Sequence, residues 1–109
     1  MQIKVASKVH NRIKQFYYNA MLKYPNTYFP DDADRDIYKV TNELMKVGTR
    51  LWKKNNNILL KWENYFVDYS KATGWYFAYR IENNTIYVED VENYRNMSNF
   101  ANIKVDKDE

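Results

Sequence analysis

The chain contains no cysteine, which excludes disulfides and thiolate metal sites and makes a reducing compartment the simpler expectation. Glycine and proline are scarce, 2 of each in 109 residues, too few for long irregular loops. No apolar run approaches the roughly 20 residues that span a bilayer. The opening stretch MQIKVASKVHNRIKQF also lacks the apolar core of a secretion signal. A cytoplasmic protein without membrane association is the expectation. There is a single histidine, His10, with no second His or Cys nearby to share a metal and no nucleophile motif to complete a triad. It reads as a surface residue. No Gly-rich loop exists to cradle a nucleotide phosphate. Neither a metal nor a small-molecule cofactor is expected.

What the chain has instead is aromatic and basic side chains. Eleven tyrosines, 5 phenylalanines and 3 tryptophans make 17% of the residues, far too many for a disordered chain. The formal charge of +3 is unevenly spread: residues 1–63 carry 12 Lys/Arg against 6 Asp/Glu, and residues 64–109 carry 5 against 8. A basic half attracts phosphate, or is simply a solvated surface.

Hydrophobic spacing gives the elements. Ile3 and Val5 alternate with Gln2 and Lys4, a short strand. With Ser7 as N-cap, Val9, Ile13, Phe16, Ala20 and Tyr24 form one face of a helix that Pro25 stops. Pro30 with Asp31, Asp32 and Asp34 opens a second helix, the carboxylates capping free amides. These aspartates lack the spacing of a calcium loop. Ile37, Val40, Leu44, Val47 and Leu51 make the second apolar stripe, which places Gly48 inside the helix and ends it at the run Lys53 to Asn57.

From Ile58 the period changes to two, with Leu60 and Trp62 on one face and Tyr65, Val67 and Tyr69 following a flip near Asn64. After a turn at Lys71 to Gly74, Trp75, Phe77, Tyr79 and Ile81 point one way and Tyr76, Ala78, Arg80 and Glu82 the other. Asn83-Asn84 suits a type I′ turn, and Ile86 and Val88 continue the buried face. Val91 is out of phase, so the last strand bends or ends near Asp90. The order β-α-α-β-β-β predicts one α+β domain over residues 1–103, a helical hairpin on one face of a small, mainly antiparallel sheet, with a disordered polar tail at 104–109.

Lys, Arg, Tyr and Trp are the chemistry on offer, and that set suits RNA. Cations hold phosphate and aromatics stack on unpaired bases. A ribonuclease needs no metal if the 2′-hydroxyl is its nucleophile, only a base, an acid and cations for the charge growing on phosphorus. Lys46, Arg50, Lys53 and Lys54, clustered late on the second helix, form a phosphate-facing patch in one reading and complement the negative helix end in the other.

The element order and the segment TGWYFAYRIENNTIYVEDVENYRNM (Thr73 to Met97) resemble the RelE/ParE superfamily of bacterial type II toxins. There a turn glycine precedes an aromatic or aliphatic strand, a short polar turn, a second strand and a basic segment. The resemblance implies a toxin-type protein with a cognate antitoxin as partner, and for the ribosome-dependent members a metal-independent endoribonuclease acting on mRNA. It also implies two alternatives, a catalytically degenerate binding module of the same fold and a gyrase-directed toxin. Carried over residue by residue, the basic segment leaves Arg95 for phosphate contact with Tyr94 beside it. Tyr76 stands where the RNases usually carry arginine, and Arg80 follows on the same face. Tyr76, Arg80, Tyr94 and Arg95 are therefore the candidate catalytic residues. Lys46, Arg50, Lys53, Lys54 and Lys61 are the candidate nucleic-acid contacts.

Overall fold

The computed structural model describes residues 2–48 and 60–95. The elements are β1 (Gln2–Val5), α1 (Ser7–Lys23), α2 (Pro30–Leu44), a 3₁₀ turn at Leu60–Trp62, β2 (Phe66–Ser70), β3 (Trp75–Glu82) and β4 (Thr85–Asn93). One four-stranded sheet has the order β1-β4-β3-β2. The pairs β2–β3 and β3–β4 are antiparallel, and β1 lies parallel to β4 at the edge. The expected α+β class is what the chain adopts. Arg50, Lys53, Lys54, Leu51, Ile58, the boundary at 103 and the tail at 104–109 lie outside the described residues.

Both helices cover one face of the sheet. Val9 and Ile13 of α1, with Val40 and Leu44 of α2, pack on Trp75, Phe77, Tyr79, Ile86, Val88 and Val91. The Phe16 ring meets Trp75 edge-on at 5.2 Å, and Phe66 stacks on Tyr79 at 5.6 Å. Each large apolar side chain withdrawn from water contributes on the order of 2 kcal/mol, so this face is the principal source of stability. The alternation read in β3 and β4 is therefore the burial pattern. Asn83 and Asn84 take φ of 51° and 59°, as a type I′ turn requires.

Four local expectations are corrected. Ser7 is the first helical residue, not the cap. Ala6 holds the cap position and, with no side-chain acceptor, makes no capping bond, while its N–H extends the sheet ladder to the Val88 carbonyl at 3.0 Å. The second helix ends at Leu44, short of the run Lys53 to Asn57 expected to end it. Val47 N–H bonds to the Leu44 carbonyl, an i+3 turn that keeps Val47 in the core, and Gly48 leaves at φ 82° with its N–H on Asp68 Oδ2 at 3.1 Å. Gly48 is thus a terminator rather than a helix-interior glycine, and Lys46 sits in the turn rather than on the helix.

Among the described residues, the strand expected from Ile58 begins at Phe66. Trp62 lies in the 3₁₀ turn and folds under the sheet's other face, where it meets Val67 and Ala78 in a second small core with Tyr65 and Tyr76 packed against it. β4 continues to Asn93. Its register slips between Ala78 and Tyr79, where Tyr79 faces Val88 but Ala78 faces Asp90, leaving Glu89 as the extra residue of a bulge. That bulge returns Val91 to the main core and accounts for its phase.

Candidate functional site

The end of β4 is fixed by the turn between β2 and β3. Gly74 donates its N–H to the Ser70 carbonyl at 2.7 Å and accepts from Tyr94 N–H at 2.8 Å. Its φ of 79° and missing Cβ let the Tyr94 ring lie directly over it. Arg95 follows, its N–H on Asn93 Oδ1 at 3.0 Å and its Nε on the Tyr94 hydroxyl at 3.2 Å. Tyr94 and Arg95 thereby join Tyr17 of α1 and Asp36 and Lys39 of α2 around a corner pocket of about 220 Å³, with Thr73 and Asn93 completing it. Here two cations, two phenols and a carboxylate face one small space.

Burial raises the Tyr17 hydroxyl above its ordinary pKa, although it accepts the Trp75 indole N–H at 3.0 Å and feels Arg95. Tyr28 beside the pocket is raised further, first by burial and then by its 2.6 Å bond to Asp36. These phenols keep their protons at neutral pH. As protonated phenols they are hydrogen-bond donors, and the Tyr28 hydroxyl already donates to Asp36, a carboxylate of the pocket lining.

The other candidates stand elsewhere. Arg80 pairs with Tyr87 and Trp75 with Asn93, so Arg80 is about 17 Å along the strand from the corner. Its Nε donates to Glu89 at 2.8 Å, its Nη1 to Glu82, and its guanidinium lies 4.2 Å from the Tyr87 ring centroid. Tyr76 lies on the second face, tilted against Tyr69 at 4.5 Å, and burial raises its hydroxyl pKa. Lys61 also belongs to that side. It bonds to Glu92 at 2.6 Å and approaches Asp90 at 3.3 Å. Lys46 bonds to Glu43 at 3.0 Å. The structure thus brings Tyr94 and Arg95 together and leaves Tyr76, Arg80, Lys46 and Lys61 apart from them.

No family model, no curated protein and no solved structure matches this chain.

Sequence reasoning missed Tyr17, Asp36 and Lys39. Helical periodicity identifies α1 and α2 but not which end of the sheet their flanks reach. It also missed Arg12, whose guanidinium donates to Asp90 at 2.8 Å, to Glu92 at 3.1 Å and to the Val91 carbonyl at 3.3 Å. One signal was available: the first thirty residues hold five Lys/Arg and no Asp or Glu, so any carboxylate partner for these cations lies later in the chain. Asp90 and Glu92 are the carboxylates that Arg12 reaches, and they share it with Lys61, while Glu89 pairs with Arg80. Among the described residues, no three His, Cys, Asp or Glu side chains are arranged to hold a metal ion.

Proposed function

We propose that this chain is a toxin-type protein on a RelE/ParE-like scaffold that works as a binding module, its helical layer docking a small acidic partner of the antitoxin kind. The carrying observation is where the exposed apolar side chains lie. Tyr18 and Leu22 lie on α1, Tyr38 on α2 and Met45 directly after it, with Leu22 80% and Tyr38 67% exposed. Tyr24 and Phe29 in the link add to them. Scattered single exposed apolar groups are ordinary, but a set on one layer suits a partner. On α1 the charge complements it, since that helix exposes Lys8, Arg12, Lys14 and Lys23 and contains no acid, whereas the acid-rich α2 would meet the partner through its apolar side chains. An amphipathic acidic helix would match both features. The test is whether the tagged chain, expressed together with the genes that flank its own, co-purifies with a small acidic protein. A complex is expected that Leu22→Asp and Tyr38→Asp each abolish. Absence of any complex, or a complex indifferent to both changes, refutes the reading.

A second reading, a metal-independent endoribonuclease, is favoured by the corner pocket, where Arg95 and Lys39 flank a space lined by Tyr17, Tyr94 and Asp36. Two cations suit a phosphodiester. Induced expression with translation followed tests it. Arrest that Arg95→Ala relieves supports the RNase, and no arrest rejects it.

A further inference from the structure

The corner pocket beside Tyr94 holds charge of both signs, and its cations stand apart from the others of the chain. Arg12, Lys61, Arg80 and Lys46 are each held by carboxylates. Lys39 and Arg95 line this pocket, and among the described residues neither is paired with a carboxylate. Of the Arg95 guanidinium only Nε donates there, to the Tyr94 hydroxyl at 3.2 Å. Asp36 lines the same pocket from α2. Its Oδ2 accepts the Tyr28 hydroxyl at 2.6 Å, and the exposed Arg35 comes no nearer to Oδ1 than 3.6 Å. A carboxylate has about four acceptor sites, so Asp36 keeps capacity for an ammonium donor. Burial dominates the raised pKa of Tyr17. Beneath that effect Asp36 pushes up and Arg95 pushes down, which puts both charges near this one hydroxyl.

We propose that this pocket binds a free α-amino acid with an aromatic or large aliphatic side chain. The proposal uses the corner that the RNase reading uses, but it rests on neither reading of function. Three observations carry it. First, an α-amino acid bears a carboxylate and an ammonium on one carbon. Arg95 and Lys39 match the carboxylate, and Asp36 matches the ammonium. A phosphate would meet the two cations but face Asp36 as a like charge. The Tyr17 hydroxyl accepts the Trp75 indole N–H at 3.0 Å and keeps its own proton to donate to a bound carboxylate. Second, the volume of about 220 Å³ falls below the roughly 300–1,000 Å³ of sites that enclose drug-sized ligands, and suits a single amino acid. Third, the remaining wall is apolar. Phe16, Tyr17 and Tyr94 present rings to the space. The Tyr94 ring is set in advance, because its N–H bonds to the Gly74 carbonyl at 2.8 Å and the ring covers the place of the missing Cβ. Such walls favour an apolar side chain, with ring contacts adding to the burial of an aromatic one.

Titration calorimetry of the full chain with L-phenylalanine and with L-leucine tests the proposal. N-acetyl-L-phenylalanine, L-phenylalaninamide and orthophosphate are the comparisons. At least one of the two amino acids is expected to bind at millimolar concentration or below. The acetylated form lacks the ammonium and the amide form lacks the carboxylate, so each is expected to bind about tenfold or more weakly than L-phenylalanine. Asp36→Asn keeps an oxygen acceptor for Tyr28. It is expected to weaken amino-acid binding about tenfold while leaving the acetylated form unchanged. Arg95→Gln is expected to weaken the amino acid likewise while leaving the amide form unchanged. A variant that had merely lost its fold would lose every ligand alike. The proposal is overturned if neither amino acid binds, if the acetylated form binds as well as its parent, or if orthophosphate binds more tightly than both amino acids. Growth or translation arrest bears only on the RNase reading, so the two ideas fail separately.

Discussion

Gly74 carries two constraints, a left-handed backbone and an aromatic ring packed directly over it. A Cβ placed there would meet Tyr94 Cδ1 at 2.5 Å and Cε1 at 2.7 Å, on a backbone with φ 79°. Gly74→Ala is therefore expected to cost about 1–3 kcal/mol, measured by chemical denaturation, and to push the Tyr94 ring out of the corner pocket. An unchanged denaturation midpoint would mean that the ring does not lie over the turn. Trp62 makes a different demand. Its ring fills the second core, and its Nε1 donates to Asp90 Oδ2 at 2.8 Å. Trp62→Phe keeps most of the apolar contact and removes the donor, so a loss of about 1–2 kcal/mol is expected, against about 3–5 kcal/mol for Trp62→Ala. Equal losses for the two variants would show that the hydrogen bond contributes nothing.

The β3–β4 hairpin was legible because its information is local. Alternation of Trp75, Phe77, Tyr79 and Ile81 sets the face, and Asn83-Asn84 sets the turn. Replacing either asparagine with alanine puts a Cβ-bearing residue of poor left-handed tolerance at φ above 50° and is expected to cost about 1 kcal/mol. Asn84→Gly is expected to be neutral or slightly stabilising. Thermal unfolding of the three variants gives the comparison, and an alanine variant as stable as the parent would rule out the positive-φ turn. Pro25 and Pro30 marked helix limits for the same local reason. The illegible features depend on distant partners. The end of α2 uses Asp68, twenty residues from Gly48, and Trp62 leaves the strand pattern to reach Asp90, 28 residues away. The candidate site divides the same way. Tyr94 and Arg95 follow the last strand and could be named from it, whereas Tyr17, Asp36 and Lys39 join them only through the packing of helices on the sheet.

Charge links the two ends of the chain. Cations from α1, the 3₁₀ turn and β3 converge on the acids of β4: Arg12 and Lys61 on Asp90 and Glu92, Arg80 on Glu89. The Glu89 carboxyl is held below its ordinary pKa chiefly by Arg80, with Tyr65 assisting against the opposing effect of burial. For Asp90, burial pushes upward, but the Trp62 indole, Lys61 and Arg12 together outweigh it and leave a net depression. A carboxyl whose folded pKa lies below its unfolded value binds fewer protons in the native state. Its contribution is then fully present above the unfolded values, about 4.3 for Glu and 3.9 for Asp, and is lost as pH falls through them towards the folded values. The urea midpoint is accordingly expected to fall as pH drops below about 4.5. The double change Glu89→Gln and Asp90→Asn keeps side-chain oxygens as acceptors for Tyr65, Trp62 and Arg80 but removes both titrations. It is expected to lower stability at neutral pH and to make the acid limb shallower, with the difference between parent and variant shrinking as the parent carboxyls protonate. High salt is expected to narrow that difference as well, because the Arg12 and Arg80 side chains are both about 40% exposed and therefore screened. An acid limb identical in parent and variant would move the pH dependence away from Glu89 and Asp90 and would leave their pairing with Arg80, Lys61 and Arg12 without an energetic role.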